Sequence, residues 1–417
     1  MNIATEVQDK NLIHDGCDNQ SVYVQRDFSN SRPLDVHTWS EHLEVHALIA
    51  DLWADYFAVE FDNAGRPGRR AAGSPIRQFR VLVLDLYLAW KSDPGMSIGV
   101  GMSNRFYRSG SRYNALHISS VMIKLVHRAH EVGLIGLHLG TEYAGRTTRI
   151  WAAPQLVERF ARARFGVFDI APYSERESII LSRGDRERWE EYDDNDWTHA
   201  MRATMSSYNA LIDQTFIDIP TLDLPIITRA QENTGRATQV RIDQNNKFSR
   251  RVFYRGSWEL GGRVHGGFWQ QLPEPYRASL WINDLPVIED DYSGLHIALL
   301  YGMEGRPLVG DPYSLGISTA YPPEALRGWI KQLVLVAINA GTEASAFKAF
   351  RQKQAPGSPA KRFTDRMLGE LLEAFKSQHK AISQYMCSDE GVRLMAIDGR
   401  ITARIIERFS PKSRCRC

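Results

Sequence analysis

The sequence has few cysteines, no long apolar run and no strong excess of either charge. Cys17, Cys387, Cys415 and Cys417 show neither the paired spacing of a metal site nor the framework of a disulfide-stapled domain. The longest apolar runs, such as the one at 333–338, fall far short of the about 20 residues that span a bilayer. The N-terminus lacks the basic start and apolar stretch of a signal peptide. These absences predict a cytoplasmic chain in a reducing compartment, without a membrane partner.

The length and composition predict a globular protein with more than one domain. A chain of 417 residues is too long for one ordinary core, and 43% of its residues are hydrophobic. The net charge of +2 indicates no class of partner, so any nucleic-acid surface has to come from local clusters of cations. We expect α+β structure and the following division: an N-terminal arm and basic linker over 1–75, a compact module over 76–165, a connecting region over 166–250 and a C-terminal domain over 251–417.

The module over 76–165 has the pattern of two helices followed by a β-hairpin. Apolar residues recur at three- and four-residue spacing in "IRQFRVLVLDLYLAWKSD" and in "ISSVMIKLVHRAHEVG", which ends at a glycine. The next stretch, "LIGLHLGTEYAGRTTRIWAAP", alternates apolar and polar residues on both sides of a glycine, as two strands joined by a turn do. This arrangement resembles a winged helix, a variant of the helix-turn-helix that places one helix in the major groove.

Basic residues of this module predict a surface for the phosphates of DNA. They lie before the second helix, on it and on the hairpin: Arg105, Arg108, Arg112, Lys124, His127, Arg146 and Arg149. Winged helices also serve as protein-docking modules, and scattered arginines are common on ordinary surfaces. Both interpretations stay open, with DNA as the expected partner.

The stretch "VIEDDYSGLHIALLYG" places three acidic residues between an apolar segment and a segment of helical spacing. We expect the apolar segment to be a strand, with Glu289, Asp290 and Asp291 at its tip. Neighbouring carboxylates repel one another and resist desolvation, so they have to face water or bind cations. The stretch is therefore either a solvated turn or a metal site.

Four short patterns between 262 and 341 together resemble the palm and fingers of the family A nucleotide polymerases, which include DNA polymerase I and single-subunit phage RNA polymerases. The first is "GGRVHGGFWQQLP", and the second, "VIEDDYSGLHIALLY", resembles motif A. The third is "GMEGRPLVGDPYS", in which Asp311 matches a family aspartate, and the fourth, "RGWIKQLVLVAINAG", resembles the motif B helix. Taken singly, the first pattern is also typical of a glycine-rich hairpin, the third of an ordinary turn and the fourth of an amphipathic helix.

The resemblance implies a role for each matched residue. Arg263 and Gln270 would contact a primer–template duplex. Asp291 would bind Mg²⁺, and Tyr292 would offer its backbone carbonyl as a further ligand, because phosphoryl transfer uses two hard cations with oxygen ligands. Arg327 and Lys331, one helical turn apart, would bind the phosphates of a nucleoside triphosphate. His296 stands where the DNA enzymes carry a glutamate that blocks a ribose hydroxyl, so the choice of sugar stays open.

The resemblance also implies a second metal-binding carboxylate, in a His-Asp hairpin called motif C. No His-Asp follows "EGVRLMAIDGRITARIIERF", and the printed sequence ends with "SPKSRCRC". Two explanations stay open: Asp398 substitutes for the missing carboxylate, or a frameshift or early stop has shortened the tail. We expect a DNA-binding protein of a phage or mobile element that is related to template-directed nucleotidyltransferases. The alternative is a non-catalytic winged-helix replication initiator or transcription regulator.

Overall fold

The computed structural model describes residues 26–62, 74–108, 110–140, 147–184, 189–230, 237–317 and 319–410. The chain divides into two compact units between Glu177 and Ser178. Each unit combines helices with short strands, which confirms the predicted mixture of α and β structure. Within the described ranges, no helix is both long enough and apolar enough to cross a bilayer.

The first unit contains five helices and six strands among its described residues. In chain order they are β1 (Ser31–Pro33), β2 (Thr38–Trp39), α1 (Leu43–Tyr56), α2 (Ala58–Phe61), α3 (Pro75–Ser92), β3 (Ser97–Val100), α4 (Val121–Glu131), β4 (Ile135–His138), β5 (Thr148–Ala152), α5 (Pro154–Ala161) and β6 (Ala171–Pro172).

A four-stranded sheet and helix α3 organise this unit. The strand order is β1-β3-β5-β4, with β1 parallel to β3 and the other pairs antiparallel. Helix α3 begins with Pro75, whose fixed backbone angle suits the first helical position, and nearly all of its residues from Gln78 to Ala89 are buried. Tyr87 packs against Phe160 and Phe165, and full burial of a phenylalanine side chain such as Phe160 stabilises the fold by about 1.5–3 kcal/mol.

The N-terminal part of this unit differs from the predicted arm. Over 26–62, the described part of the segment predicted to be arm and linker, the structure has strand β1 and helix α1. Val45, Ile49 and Leu52 of α1 are fully or almost fully buried in the core of the unit. Their three- and four-residue spacing places them on one face of the helix, which explains why this segment packs. Residues 63–73, most of the predicted basic linker, lie outside the described part of the chain.

The second unit begins with strands and ends with helices. In chain order its elements are β7 (Ile179–Leu181), α6 (Asp196–Asp213), β8 (Ile217–Asp218), β9 (Ile226–Ala230), β10 (Ala237–Arg241), β11 (Ser249–Phe253), β12 (Gly261–Gly266), α7 (Glu274–Arg277), β13 (Trp281–Ile282), β14 (Leu285–Pro286), α8 (Leu295–Met303), α9 (Pro323–Ile338), α10 (Glu343–Lys353), α11 (Asp365–Gln378) and α12 (Gly391–Phe409).

Two small sheets and a helical core position the candidate site in this unit. One sheet has the order β12-β11-β7, and helix α12 packs on β12. The other has the order β14-β13-β8. Apolar side chains of α8, α9, α10 and α11 form the largest core of the unit, around Leu333, Phe350 and Phe375. Since β7 pairs with β11, the predicted connecting region is divided: 166–177 belongs to the first unit and 178–250 to the second.

Candidate nucleic-acid interface and candidate nucleotide site

A buried glutamine fixes the turn that precedes helix α4. The backbone N–H of Ser119 donates to Gln78 Oε1 at 2.9 Å, and Gln78 Nε2 donates to Ser119 Oγ at 3.1 Å. Gln78 is fully buried on α3, where an amide without hydrogen-bond partners would be costly. Met122, Leu125 and Val126 anchor the inner face of α4 in the core. The start of α4 is therefore held by both polar and apolar contacts.

The outer face of α4 is polar and open to solvent. Ser120, Lys124, His127 and Glu131 are exposed and recur at four- and three-residue spacing, so they lie along one stripe that begins at the helix N-cap. Among the described residues, Lys124 has no carboxylate partner. Its ammonium group is therefore available to an external anion.

Two further cations of the predicted DNA-binding surface are also free to contact an external anion. Arg105 and Arg108 are exposed in the segment between β3 and α4, and neither guanidinium has an ion-pair partner in the part of the chain that the structure describes. Asn114 holds this segment in shape, because its side-chain amide donates to the backbone carbonyls of Arg108 and Ile118. The two arginines thus stand on a fixed loop.

The remaining predicted cations of the first unit are less accessible. Arg112 pairs with Glu177 at 3.3 Å, and only 20% of its side chain is exposed. Arg149 lies back across the sheet, where its Nε donates to Ser31 Oγ at 2.9 Å. Arg146 lies outside the described residues. Sequence spacing could not separate Arg112 and Arg149 from the exposed cations, because their partners are distant in the chain.

In the second unit, Arg263 joins three elements. Its guanidinium on β12 donates to the Asp398 carboxylate on α12 and contacts His296 Nε2 on α8 at 3.2 Å. The helix approaches the strand at Gly399, where an added Cβ would overlap the backbone carbonyl oxygen of Gly262. This close approach brings Asp398 to Arg263, so its carboxylate is held in an ion pair.

The contacts of His296 and Gln270 are structural. Burial, and next the charge of Arg263, lower the pKa of His296, so Nε2 can accept from the guanidinium as part of a neutral imidazole. Gln270 is exposed, and its Oε1 accepts from the backbone N–H of Gly266 at 3.0 Å. Gln270 therefore closes the turn that follows β12.

The acidic stretch is a solvated segment, and the predicted strand ends earlier than expected. Strand β14 stops at Pro286, and 287–292 has no regular structure, although the backbone N–H of Val287 still donates to the carbonyl of Leu280 at 3.1 Å. The predicted helix does follow, beginning at Leu295 after Gly294 in the left-handed region at φ 63°. Asp291 is exposed and has no ion pair within the described ranges, whereas Glu289 pairs with Arg277 at 2.6 Å.

Arg327 of α9 pairs with Asp311. Its Nη2 donates to Asp311 Oδ1 at 3.1 Å, and its guanidinium lies 5.7 Å from the ring centre of Tyr313. The hydrogen bond from Arg327 holds the pKa of Asp311 below its ordinary value, and Lys331 adds a smaller effect in the same direction. A cavity of about 460 Å³ lies against the same arginine, between α9 and the segments 313–317 and 319–321.

A histidine that the sequence patterns did not indicate fixes the Asp311 turn. His379 Nε2 lies 2.9 Å from the carbonyl oxygen of Pro312, and Nδ1 lies 2.9 Å from the hydroxyl of Tyr301. An added Cβ at Gly294 would lie 3.3 Å from Pro312 Cγ, so the turn after the acidic stretch adjoins the Asp311 turn. The second and third patterns therefore meet, although no contact joins Asp291 itself to Arg327 among the described residues.

The described carboxylates do not assemble a site for two magnesium ions. No group of three or more His, Cys, Asp or Glu side chains in the described ranges is arranged to hold a metal. Glu289 and Asp398 are engaged by arginines, which leaves Asp291 and Asp290 as adjacent, solvated carboxylates. Two divalent cations need more oxygen ligands than these two residues supply.

Comparison of the chain with protein-family models, with curated proteins and with solved structures finds no match.

Proposed function

We propose that the chain binds duplex DNA through its first unit, with α4 as the recognition helix of a winged-helix-like module. The support is the order of the elements: α4 is followed directly by the antiparallel strands β4 and β5, and β3 of the same sheet precedes it. In such modules a helix enters the major groove and basic side chains bind phosphates. The chain in this proposal is a DNA-binding regulator or replication initiator whose second unit docks other molecules.

The observation that carries the proposal is the exposed Lys124 on α4, which has no ion-pair partner within the described part of the chain. Arg105 and Arg108, on the loop between β3 and α4, are available in the same way. Unpaired cations at fixed positions release counterions from DNA when they contact phosphates, and this release favours binding. A protein-docking role for this face would not require unpaired cations.

The test is fluorescence anisotropy of a labelled DNA duplex, titrated with the full chain at several salt concentrations. Lys124→Ala should weaken binding roughly 3- to 10-fold and reduce the slope of log K against log salt by about one. The matched control is Lys91→Ala, an exposed lysine at the end of α3 that rests 4.9 Å from the ring centre of Trp90. Equal effects of the two variants, or unchanged affinity in Lys124→Ala, would refute the proposal.

A second candidate function is template-directed nucleotidyl transfer by the second unit, as in family A polymerases. It is favoured by the contacts that join the four patterns in pairs, Arg263 with His296 and Asp311 with Arg327. In this candidate Arg327 and Lys331 bind the triphosphate and Arg263 and Gln270 contact the duplex. His296 lies near the sugar, and Tyr292 offers its backbone carbonyl as a further metal ligand. Asp291 is its Mg²⁺ ligand, and the incomplete carboxylate set favours the non-catalytic proposal instead.

Primer extension separates the two functions. The full chain is incubated with a primed template, Mg²⁺ and either ribonucleoside or deoxyribonucleoside triphosphates. Extension that disappears in Asp291→Ala would establish the second candidate, and the preferred triphosphate would give its choice of sugar. Duplex binding without extension at any Mg²⁺ concentration is the result that we expect.

A further inference from the structure

The segment 281–291 of the second unit exposes side chains of the size that normally fills a core. Ile288 is 94% exposed and Leu285 is 69% exposed, and Trp281 and Ile282 are 38% and 37% exposed. Single exposed apolar residues are common, but four within eight positions are a dense apolar group, called the apolar strip below, in which Ile282 and Leu285 lie directly opposite each other across β13 and β14. Such strips on a folded protein mark interaction sites.

The strip stands on a fixed hairpin. Asn283 and Asp284, between β13 and β14, both have positive φ angles, 47° and 63°, as the central residues of a tight two-residue hairpin turn do. Asn283 also contacts Phe216 twice: its backbone N–H donates to the Phe216 carbonyl, and its Oδ1 accepts from the Phe216 N–H, both at 2.9 Å. The apolar side chains are therefore presented on an ordered support.

The same segment carries unpaired negative charge. Asp284, Asp290 and Asp291 are exposed, and none of them has an ion-pair partner in the described part of the chain. The sequence from 278 to 305 contains no Lys and no Arg. The arginine that does reach the segment, Arg277, neutralises only Glu289. The hairpin thus combines an apolar strip with at least three uncompensated carboxylates.

We propose that this apolar and acidic hairpin, residues 281–291, is a docking surface for a protein segment whose apolar side chains alternate with Lys or Arg. The apolar side chains of the partner would cover Leu285 and Ile288, while its cations would lie against Asp284 and Asp290. Charge complementarity selects this partner, because nucleic acid and acidic segments would be repelled by the carboxylates. The site is independent of the DNA-binding face proposed for α4.

Three synthetic peptides of equal length test the proposal on the full chain by isothermal titration calorimetry. One alternates Leu with Lys, the second Ser with Lys and the third Leu with Glu. The Leu–Lys peptide should bind at least about tenfold more tightly than the Ser–Lys peptide, and the Leu–Glu peptide should not bind. Ile288→Ser should weaken the Leu–Lys complex about three- to tenfold. The control Val309→Ser, which replaces another largely exposed apolar residue of this unit, should leave it unchanged.

Charge reversal completes the test. Asp284→Lys combined with Asp290→Lys should transfer the preference from the Leu–Lys to the Leu–Glu peptide, which loss of folding could not do. An unchanged preference, or equal effects of Ile288→Ser and Val309→Ser, would overturn the proposal. A concentration-dependent dimer of the full chain that Ile288→Ser dissociates would also overturn it, because the occupant would then be a second copy. Duplex-DNA affinity, measured on the same variants, reports separately on the function proposed for α4.

Discussion

The two units differ in which of their predicted phosphate-binding cations are already held by a carboxylate. In the first unit, Lys124, Arg105 and Arg108 are exposed without ion-pair partners among the described residues. In the second unit, the two arginines that the polymerase resemblance assigns to nucleic acid and nucleotide are already paired, whereas Lys331 is exposed without an ion pair among the described residues. Arg263 binds Asp398 and Arg327 binds Asp311.

This difference shows that the residue type alone does not make a phosphate-binding site. A guanidinium in an ion pair has to exchange its carboxylate for a phosphate, so much of the electrostatic gain is lost. An unpaired cation on a fixed element exchanges only water and counterions. The first unit is therefore the better candidate for contact with DNA.

The largest effect is expected from a substitution that pushes α12 away from β12. It would also break the ion pair between Arg263 and Asp398. Gly399→Ala would place a Cβ against the backbone of Gly262, and the strand has to shift because a backbone atom cannot rotate away. We expect a loss of about 1–3 kcal/mol in the free energy of unfolding, measured by urea titration of the full chain.

The control is the same substitution at a helical glycine that faces open space. Gly369 lies inside α11, and an added Cβ there would meet no atom within 4 Å. Gly369→Ala should stabilise the protein by about 0.5–1 kcal/mol, because alanine loses less backbone entropy in a helix. Destabilisation by both variants would show that the close packing at Gly399 is not the cause.

Local features of the fold were predictable from the sequence. Helices α3 and α4 and the strands β4 and β5 follow from periodic apolar spacing and from glycines near their ends. The helix that follows the acidic stretch was predicted for the same reason. Propensity and patterning within about 15 residues carry this information.

The site contacts could not be predicted, because they join residues that are far apart in the chain. Arg263 and Asp398 are separated by 135 positions, and Gln78 and Ser119 by 41. Periodicity shows that an arginine faces outward but does not show which carboxylate reaches it. The early end of the strand before Asp291 was also missed, because the apolar residues Val287 and Ile288 indicate that the strand continues.

A smaller effect is expected from acidification. Burial lowers the pKa of His296 from its ordinary value of 6.5, so the unfolded chain takes up a proton at a higher pH than the folded chain. The stability that His296 provides is therefore complete above about pH 6.5 and falls as the pH drops from there toward its lower, folded-state pKa. Burial is the largest cause of the lowered pKa of His296, the charge of Arg263 on β12 acts in the same direction, and the charge of Asp398 on α12 opposes both.

Calorimetric unfolding of the full chain at several pH values tests this expectation. His296→Gln should flatten the decrease in melting temperature between about pH 7.5 and 5.5. Part of the decrease should remain, because burial also lowers the pKa of His379. The exposed His127 of α4 provides the control, and His127→Gln should leave the pH dependence unchanged. If the melting temperature of His296→Gln depends on pH as that of the unsubstituted chain does, His296 is not a source of the loss of stability in acid.

The smallest effect is expected from a substitution that removes the ion-pair partner of Arg327. Asp311→Asn removes the carboxylate that engages Arg327, while the similar size of asparagine preserves the turn. The exposed pair is worth about 0–1 kcal/mol, so affinity for a fluorescent nucleoside triphosphate should rise only about two- to fivefold, measured by anisotropy at low salt. Asp365→Asn, which removes the carboxylate that pairs with Arg351 at 2.7 Å, is the matched control and should change nothing. An equal gain in both variants would mean that any released arginine attracts the phosphates, and the particular position of Arg327 beside the cavity would then have no significance for nucleotide binding.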